Sequence, residues 1–191
     1  MPRSPWRGST ERVSSAPCSS TWTSAPPTCA TRPVNLTLAR LAPELQRALR
    51  EHAVWADSGG AHGIRAVLDG QDLAGVELSG AYLSGASLVR CNLADAILSG
   101  AKLILADLRE ANLTGADLRR ADLSGTVLVG AKLVRAKLAH AVLKRVELRD
   151  GQGRATGKVA PTNLRGASLI DADLSFADLS EAAIDPPAAA D

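Results

Sequence analysis

His52 and His62 most invite a chemical reading in this chain, because a neutral imidazole is the commonest side-chain metal ligand. No further ligand lies near them in the sequence, so packing contacts rather than a metal site are expected of both. Cys18, Cys29 and Cys91 are an odd set without Cys-x-x-Cys spacing. Cys91 is expected to be a buried thiol, which is compatible with a reducing, cytoplasmic setting. Gly151-Gln152-Gly153 has two glycines of a phosphate loop but lacks its Gly-Lys-Ser/Thr ending and any strand–helix frame. Serine, histidine and cysteine form no nucleophile–base pattern. No catalytic residue, cofactor or metal is expected, and an enzyme would need help from the N-terminal region or a partner.

The remaining chemistry is that of contact. Residues 61–185 hold fifteen basic and fifteen acidic side chains, unevenly placed. Between 126 and 165 there are nine basic residues against Glu147 and Asp150, and between 166 and 185 five acidic residues and none basic. Lys144, Arg145, Arg149, Arg154 and Lys158 are the candidate contacts for an acidic partner. The alternative is ordinary solvated charge. Val127 and Val129 flank one leucine and offer a modest apolar patch for a partner or a second copy. The basic band has no aromatics for base stacking, which argues against direct nucleic-acid binding. No apolar run approaches the roughly 20 residues of a membrane span.

The elements that would position these residues follow from one regularity. Leucine recurs at every fifth position from Leu68 to Leu148, and again from Leu164 to Leu179, with Ile184 closing the run. A period of five suits neither the helical 3.6 nor the strand 2.0. Two residues before most leucines stands a small residue, Cys91 or an alanine such as Ala106, Ala111, Ala116 and Ala121. Gln71, Val76, Thr126 and Val146 are exceptions. In extended chain residues i−2 and i share a side. Each pentad therefore sends one small and one large apolar group inward, and Leu108, Leu113, Leu118 and Leu123 are expected in the core. The residue between them, as in Asp107, Asn112, Asp117 and Asp122, points out. Ser-Gly, Thr-Gly or a charged residue ends many pentads, and glycine there permits the positive φ of a tight corner. A chain that turns every five residues can stack into a solenoid.

Ala106-Asp107-Leu108, Ala111-Asn112-Leu113, Ala116-Asp117-Leu118, Ala121-Asp122-Leu123, Ala172-Asp173-Leu174 and Ala177-Asp178-Leu179 resemble the Ala-(Asp/Asn)-Leu-x-x motif of the pentapeptide-repeat family. The resemblance covers about residues 66–185. It implies an all-β solenoid, a right-handed quadrilateral β-helix with four pentads per coil. Residues 20 apart would then stack, with Lys102 below Asp122 and Asp117 below Lys137.

The expected organisation has four parts. Residues 1–34, rich in Ser, Thr, Pro and Ala with scattered arginines, read as a disordered or non-native extension. Residues 35–60 read as an N-terminal capping helix and turn: Leu41, Leu45, Leu49 and Ala53 follow a four-residue step from about residue 36, and Trp55 would cover the first coil. Residues 61–185 are the repeats, interrupted at 150–162 by a glycine-rich loop expected to bulge from the wall. That loop is either a binding element or a tolerated insertion. Residues 186–191 form a tail, which leaves the last coil as a candidate for self-association through the solenoid ends.

Two functional classes follow. The first is a non-enzymatic protein–protein interaction scaffold with an unnamed partner. The second rests on the resemblance: some members of the family mimic DNA, bind gyrase or another type II topoisomerase, and protect it from quinolones or other gyrase poisons. Three features of this chain depart from that pattern. The repeats sum to neutrality, leucine rather than phenylalanine fills the central position, and no substantial C-terminal dimer element is seen.

Overall fold

The computed structural model describes residues 42–185. The expected 1–34 extension, the 186–191 tail and the first residues of the expected helix lie outside the described residues. One helix, α1 (Pro43–Asp57), precedes the repeats. Pro43 sits in its first turn, where its missing N–H costs nothing, and Glu44 there favours the positive end of the helix. Leu49 and His52 are its buried residues, and Leu45 and Ala48 pack beside them on the leucine core. Ser58 ends the helix: its amide donates to the Val54 carbonyl at 3.0 Å, and its hydroxyl oxygen accepts from the His62 amide at 2.9 Å.

From Ala66 onward the chain is an all-β solenoid. Each pentad contributes one parallel bridge to the residue 20 positions on, from Val67–Ser87 through Asp122–Val142. Four pentads therefore make one coil. The bonds repeat coil after coil: Leu103 N–H donates to Asp122 O at 2.8 Å, and Asp122 N–H donates to Ala101 O at 2.9 Å. Within a coil the small residue closes the corner, as when Ala106 N–H donates to Leu103 O at 3.0 Å. The axis is filled. Leu108, Leu113, Leu118 and Leu123, with Ala106, Ala111, Ala116 and Ala121, are completely inaccessible to solvent.

The corners do not depend on glycine. The second residue after the leucine takes a positive φ in most pentads, and nine of these residues are not glycine, among them Arg90, Glu110, Arg120, Leu105 and Phe176. The left-handed conformation costs a non-glycine residue roughly 1–2 kcal/mol. The repeat accepts that cost because the backbone bonds above and below over-determine the corner.

One interruption breaks the 20-residue step. Val127 pairs with Asn163, Lys132 with Ser168, Lys137 with Asp173 and Val142 with Asp178. The intervening chain forms an antiparallel hairpin of β1 (Val146–Arg149) and β2 (Ala155–Ala160). The interruption thus begins earlier than the expected 150–162 loop and is ordered by strand pairing. Leu148 leaves the axis, because it lies in β1 and is only half-buried. Leu164, 2% exposed, is the next core leucine after Leu143. In the last coil Leu169, Leu174 and Leu179 are half-buried, and Ile184 is exposed.

Candidate functional site

The hairpin is anchored at its base by hydroxyl chemistry inside the wall. Thr126 and Thr162 occupy successive inward small-residue slots and are fully buried. Thr126 Oγ1 lies 2.6 Å from Leu123 O and 2.9 Å from Leu103 O. Thr162 Oγ1 accepts from Gly125 N–H at 3.0 Å and has the carbonyls of Leu123 and Lys144 at 2.9 and 3.0 Å to receive its own proton. A buried hydroxyl is tolerated only when so bonded. Beside it a small apolar cluster supports the strands. Gly125 adopts φ +67°, and a Cβ there would stand 2.8 Å from Leu105 Cδ2, 3.1 Å from Val146 Cγ2 and 3.2 Å from Ala160 O. Val146 and Ala160 are the first rung of the hairpin, so its root rests on Leu105.

The tip is closed by Asp150. Its amide donates to Arg154 O at 2.9 Å, and its Oδ1 accepts from the amides of Gln152 and Arg154, each at 2.9 Å. Arg149 Nη1 donates to Gly153 O at 2.9 Å, and Thr156 Oγ1 donates to Leu148 O at 2.6 Å. Both faces of β2 are exposed until Ala160. Arg149, Arg154 and Lys158 are exposed on this arm, and no carboxylate among the described residues forms an ion pair with them.

Lys144 and Arg145 stand apart from those three. Lys144 Nζ is 3.0 Å from Asp178, and Arg145 Nε is 3.2 Å from Glu181. The Ser180 hydroxyl and then Lys144 hold the Asp178 carboxyl down at about 2. The acidic run of the last coil therefore lies against part of the basic band and neutralises it. Sequence alone showed the two blocks but not this 36-residue register. Val127 and Val129 are half-buried on the wall and offer less apolar surface than an outward position suggests.

Of the residues with chemical promise His52 and Cys91 are engaged in packing, whereas His62 is exposed, its backbone bonded to the Ser58 hydroxyl. His52 is fully buried, its Nδ1 accepts from Ala66 N–H at 3.1 Å, and its ring stacks on Trp55 at 5.4 Å. In the next coil turn the equivalent amide, Ala86 N–H, donates to a leucine carbonyl, Leu83 O. His52 thus replaces a missing turn. His52 Nε2 faces the carbonyls of Leu83 and Ser84 without a well-formed hydrogen bond. Burial first, and the nearby Arg65 second, push the imidazole below its usual range. Cys91 is buried with Sγ 2.7 Å from Leu68 O, and burial raises its thiol, which disfavours the reactive thiolate. Among the described residues no group of three or more His, Cys, Asp or Glu is placed to hold a metal ion. A shallow, open groove of about 500 Å³ lies between α1 and the first coil, lined by Glu44, Arg47, Glu51, Ile64, Arg65 and Val67. Among the described residues no helix is long and apolar enough to cross a membrane.

Sequence reasoning missed Leu105, Gly125, Thr126 and Thr162 as the hairpin's support. The signal was present: Thr126 and Val146 are exceptions to the small-residue rule, and both sit where the hairpin departs.

Among curated proteins none matches the chain. Solved structures do resemble it. A pentapeptide repeat protein, Rfr23, from the cyanobacterium Cyanothece 51142 is 25% identical over 63% of this chain and 84% of its own, with a TM-score of 0.45. HetL from the cyanobacterium Nostoc, described as involved in heterocyst differentiation regulation, is 28% identical over 62% of this chain and 63% of its own, with a TM-score of 0.22. QnrB1, a plasmid-mediated fluoroquinolone resistance protein, is 17% identical over 60% of this chain and 70% of its own, with a TM-score of 0.23. The family model for pentapeptide repeats matches in eight copies across residues 64–100, 86–125, 106–145 and 162–182, leaving out the hairpin. Those spans take in more than half of the chain, which therefore belongs to the pentapeptide repeat family.

Proposed function

We propose that this protein is a non-enzymatic interaction scaffold, a right-handed quadrilateral β-helix that carries the hairpin 146–160 as its contact arm. The observation behind this reading is the contrast between axis and arm. The axis is packed with leucine and alanine, which leaves no cleft where polar groups could converge on a substrate. The arm is anchored by Thr162 and Leu105 and carries Arg149, Arg154 and Lys158 into solvent. An ordered element bound this way loses little entropy on docking. Its charge suits an acidic protein surface. Lys144 and Arg145 at the root, and Val127 and Val129 on the wall, are secondary contacts in this reading. The cytoplasm is the compartment we assign, since a free buried Cys91 suits a reducing environment.

Gyrase or another type II topoisomerase is the less supported partner. DNA mimicry asks for a continuous negative surface, whereas here lysines such as Lys102, Lys132 and Lys137 interrupt the bridge columns and the arm is cationic. The test is crosslinked recovery of partners with the intact chain, with Arg149, Arg154 and Lys158 changed to Glu, and with residues 146–161 removed. One partner recovered by the intact chain and lost with both variants supports the arm. Undiminished recovery by both sinks it. In a supercoiling assay, drug sensitivity unaltered by excess protein rules out gyrase protection.

A further inference from the structure

One corner of the solenoid carries an apolar side chain between two glycines. Gly85, Leu105 and Gly125 follow one another up it, one per coil. Gly85 N–H donates to Ile104 O at 2.8 Å, Leu105 N–H to Ser124 O at 2.9 Å and Gly125 N–H to Lys144 O at 2.8 Å. All three hold a positive φ, which is +57° at Leu105. Among the described residues seven of the nine non-glycine residues with such a φ are polar or charged, as suits a turn facing water, and Leu105 and Phe176 are not. A bulky apolar residue is unfavourable in the left-handed region. Support of the hairpin accounts for only part of its presence. Leu105 Cδ2 and Val146 Cγ2 both lean over Gly125, 2.8 and 3.1 Å from where its Cβ would stand, yet 38% of Leu105 stays exposed.

Two elements flank this step. Below it the Trp55 indole covers Gly85, whose Cβ position lies 3.0 Å from Trp55 Cζ3. Above it the hairpin root stands over Gly125. Two coil spacings of about 4.8 Å separate those glycines, so Leu105 is the floor of a notch about 10 Å high between α1 and the arm. The notch has room for one apolar side chain from outside.

The charge left over around it is positive. Arg65 Nε donates to Gly85 O at 2.6 Å, which sets its guanidinium at the foot of the column. Lys102 is exposed on the adjoining wall, with Nζ 5.0 Å from the Tyr82 ring centroid, and Lys158 is exposed on β2. The carboxylates on the two adjoining walls are already engaged. Both Asp107 oxygens accept from Arg109, and Asp122 Oδ1 accepts from the Ser124 amide and hydroxyl. Glu147 follows Val146 in β1 and so points to the other face of the hairpin.

We propose that this notch anchors the partner, and that the partner presents a short acidic segment with one leucine-sized apolar side chain. That side chain seats on Leu105 between Trp55 and Val146, and the carboxylates beside it reach Arg65, Lys102 and Lys158. Docking takes the exposed part of Leu105 out of water. A second copy does not present such a segment, because the Asp–Leu pairs of its coils turn the leucine into their own axis. The proposal rests on the reading of 146–160 as the contact arm and adds where the partner is gripped.

The experiment uses the full chain and a fluorescent peptide, Ser-Glu-Asp-Leu-Glu-Asp-Ser, read by anisotropy against the same peptide with Ser for Leu. The leucine peptide binds about tenfold tighter, the low end of what burying a leucine side chain contributes. With photo-leucine in the peptide, crosslinks fall on residues 104–106 and 146–148. Leu105→Gly, the residue this corner uses above and below, abolishes the preference for leucine, and Leu105→Met keeps it. No binding, equal affinity for the two peptides, or crosslinks confined to other residues overturns the proposal. So does a dimer of the native chain that Leu105→Gly splits, since a second copy would then be the occupant. The two readings fail separately. Crosslinks away from Leu105, with binding lost when Arg149 and Arg154 are changed to Glu, keep the arm and remove the notch. Crosslinks at Leu105, with binding indifferent to that change, keep the notch and remove the arm's tip as the contact.

Discussion

Acid should loosen α1 from the first coil before it affects the repeats. The group responsible is His52, wholly buried, with Nδ1 accepting the Ala66 amide. Protonation would turn that acceptor into a donor facing a donor, beside Arg65. The sign follows from the lowered pKa. Below the ordinary value of 6.5 the detached histidine binds a proton that the docked one refuses, so docking is fully stable above 6.5 and weakens as pH falls towards the docked value. At about pH 5 the detached form has gained up to ~1.5 units of protonation free energy, which is at most ~2 kcal/mol. Roughly thirtyfold is therefore a ceiling on the rise in the open population. Hydrogen exchange at the amides of Ala66 and Val54, corrected for intrinsic rates, reads this directly. His52→Gln, which keeps a neutral acceptor, should flatten the dependence. If Ala66 protection is the same at pH 5 and pH 7.5 in the native chain, His52 is not the element holding the helix.

Three further outcomes are expected. Leu113→Ala removes a fully buried axis side chain and should cost about 2–5 kcal/mol in denaturant unfolding, a loss that a loosely packed axis would not show. Gly63→Ala drives a Cβ into Glu51 O and to 2.7 Å from Trp55 N at φ +78°, so it should expose α1 to protease, whereas Gly59→Ala, at φ +63° but with open space around it, carries backbone strain alone and should do so less. Thr162→Val keeps the shape but removes the hydroxyl shared by the Gly125 amide and the Leu123 and Lys144 carbonyls, and about 1–3 kcal/mol should disappear from thermal stability, while the Gly125 amide keeps its bond to Lys144 O.

The solenoid was legible because its signal is a side-chain pattern repeated many times, and each repeat has only one way to bury Ala and Leu together. Lys102 below Asp122 and Asp117 below Lys137 follow from counting, and both pairs are bridge partners. The corners were half legible. Glycine marks those at Gly80, Gly100 and Gly115, but Arg90, Leu105 and Phe176 take the same φ because their neighbours in adjacent coils impose it. The candidate site was least legible. Lys144 and Arg145 look the same in sequence as Arg154 and Lys158, yet a register set by the hairpin's length pairs the first two with Asp178 and Glu181. Leu148 misled for a related reason: it keeps the period of five while its chain has already left the wall.

The hairpin's extent can be tested against that period. Removing residues 146–161 joins Arg145 to Thr162, makes Leu143 and Leu164 five apart, and returns Val127–Asn163 and Lys137–Asp173 to the 20-residue step. Every column above the junction then keeps its partner. Removing 151–161 also leaves leucines five apart, through Leu148, but adds one pentad and turns every later column by one wall. Lys137 would then lie under Ser168, and the Lys144–Asp178 pair would be lost. Disulfide trapping separates the two. In a background with Cys18, Cys29 and Cys91 replaced by alanine, bridge neighbours lie within the ~4.4–6.8 Å Cα range that a disulfide needs. Lys137→Cys should crosslink to Asp173→Cys in the full chain and in the 146–161 deletion, and to Ser168→Cys only in the 151–161 deletion. A 151–161 deletion that still traps 137 with 173 would mean that Leu148 can be expelled from the axis at no cost. The columns, rather than the unbroken leucine period, would then hold the register of the upper coils.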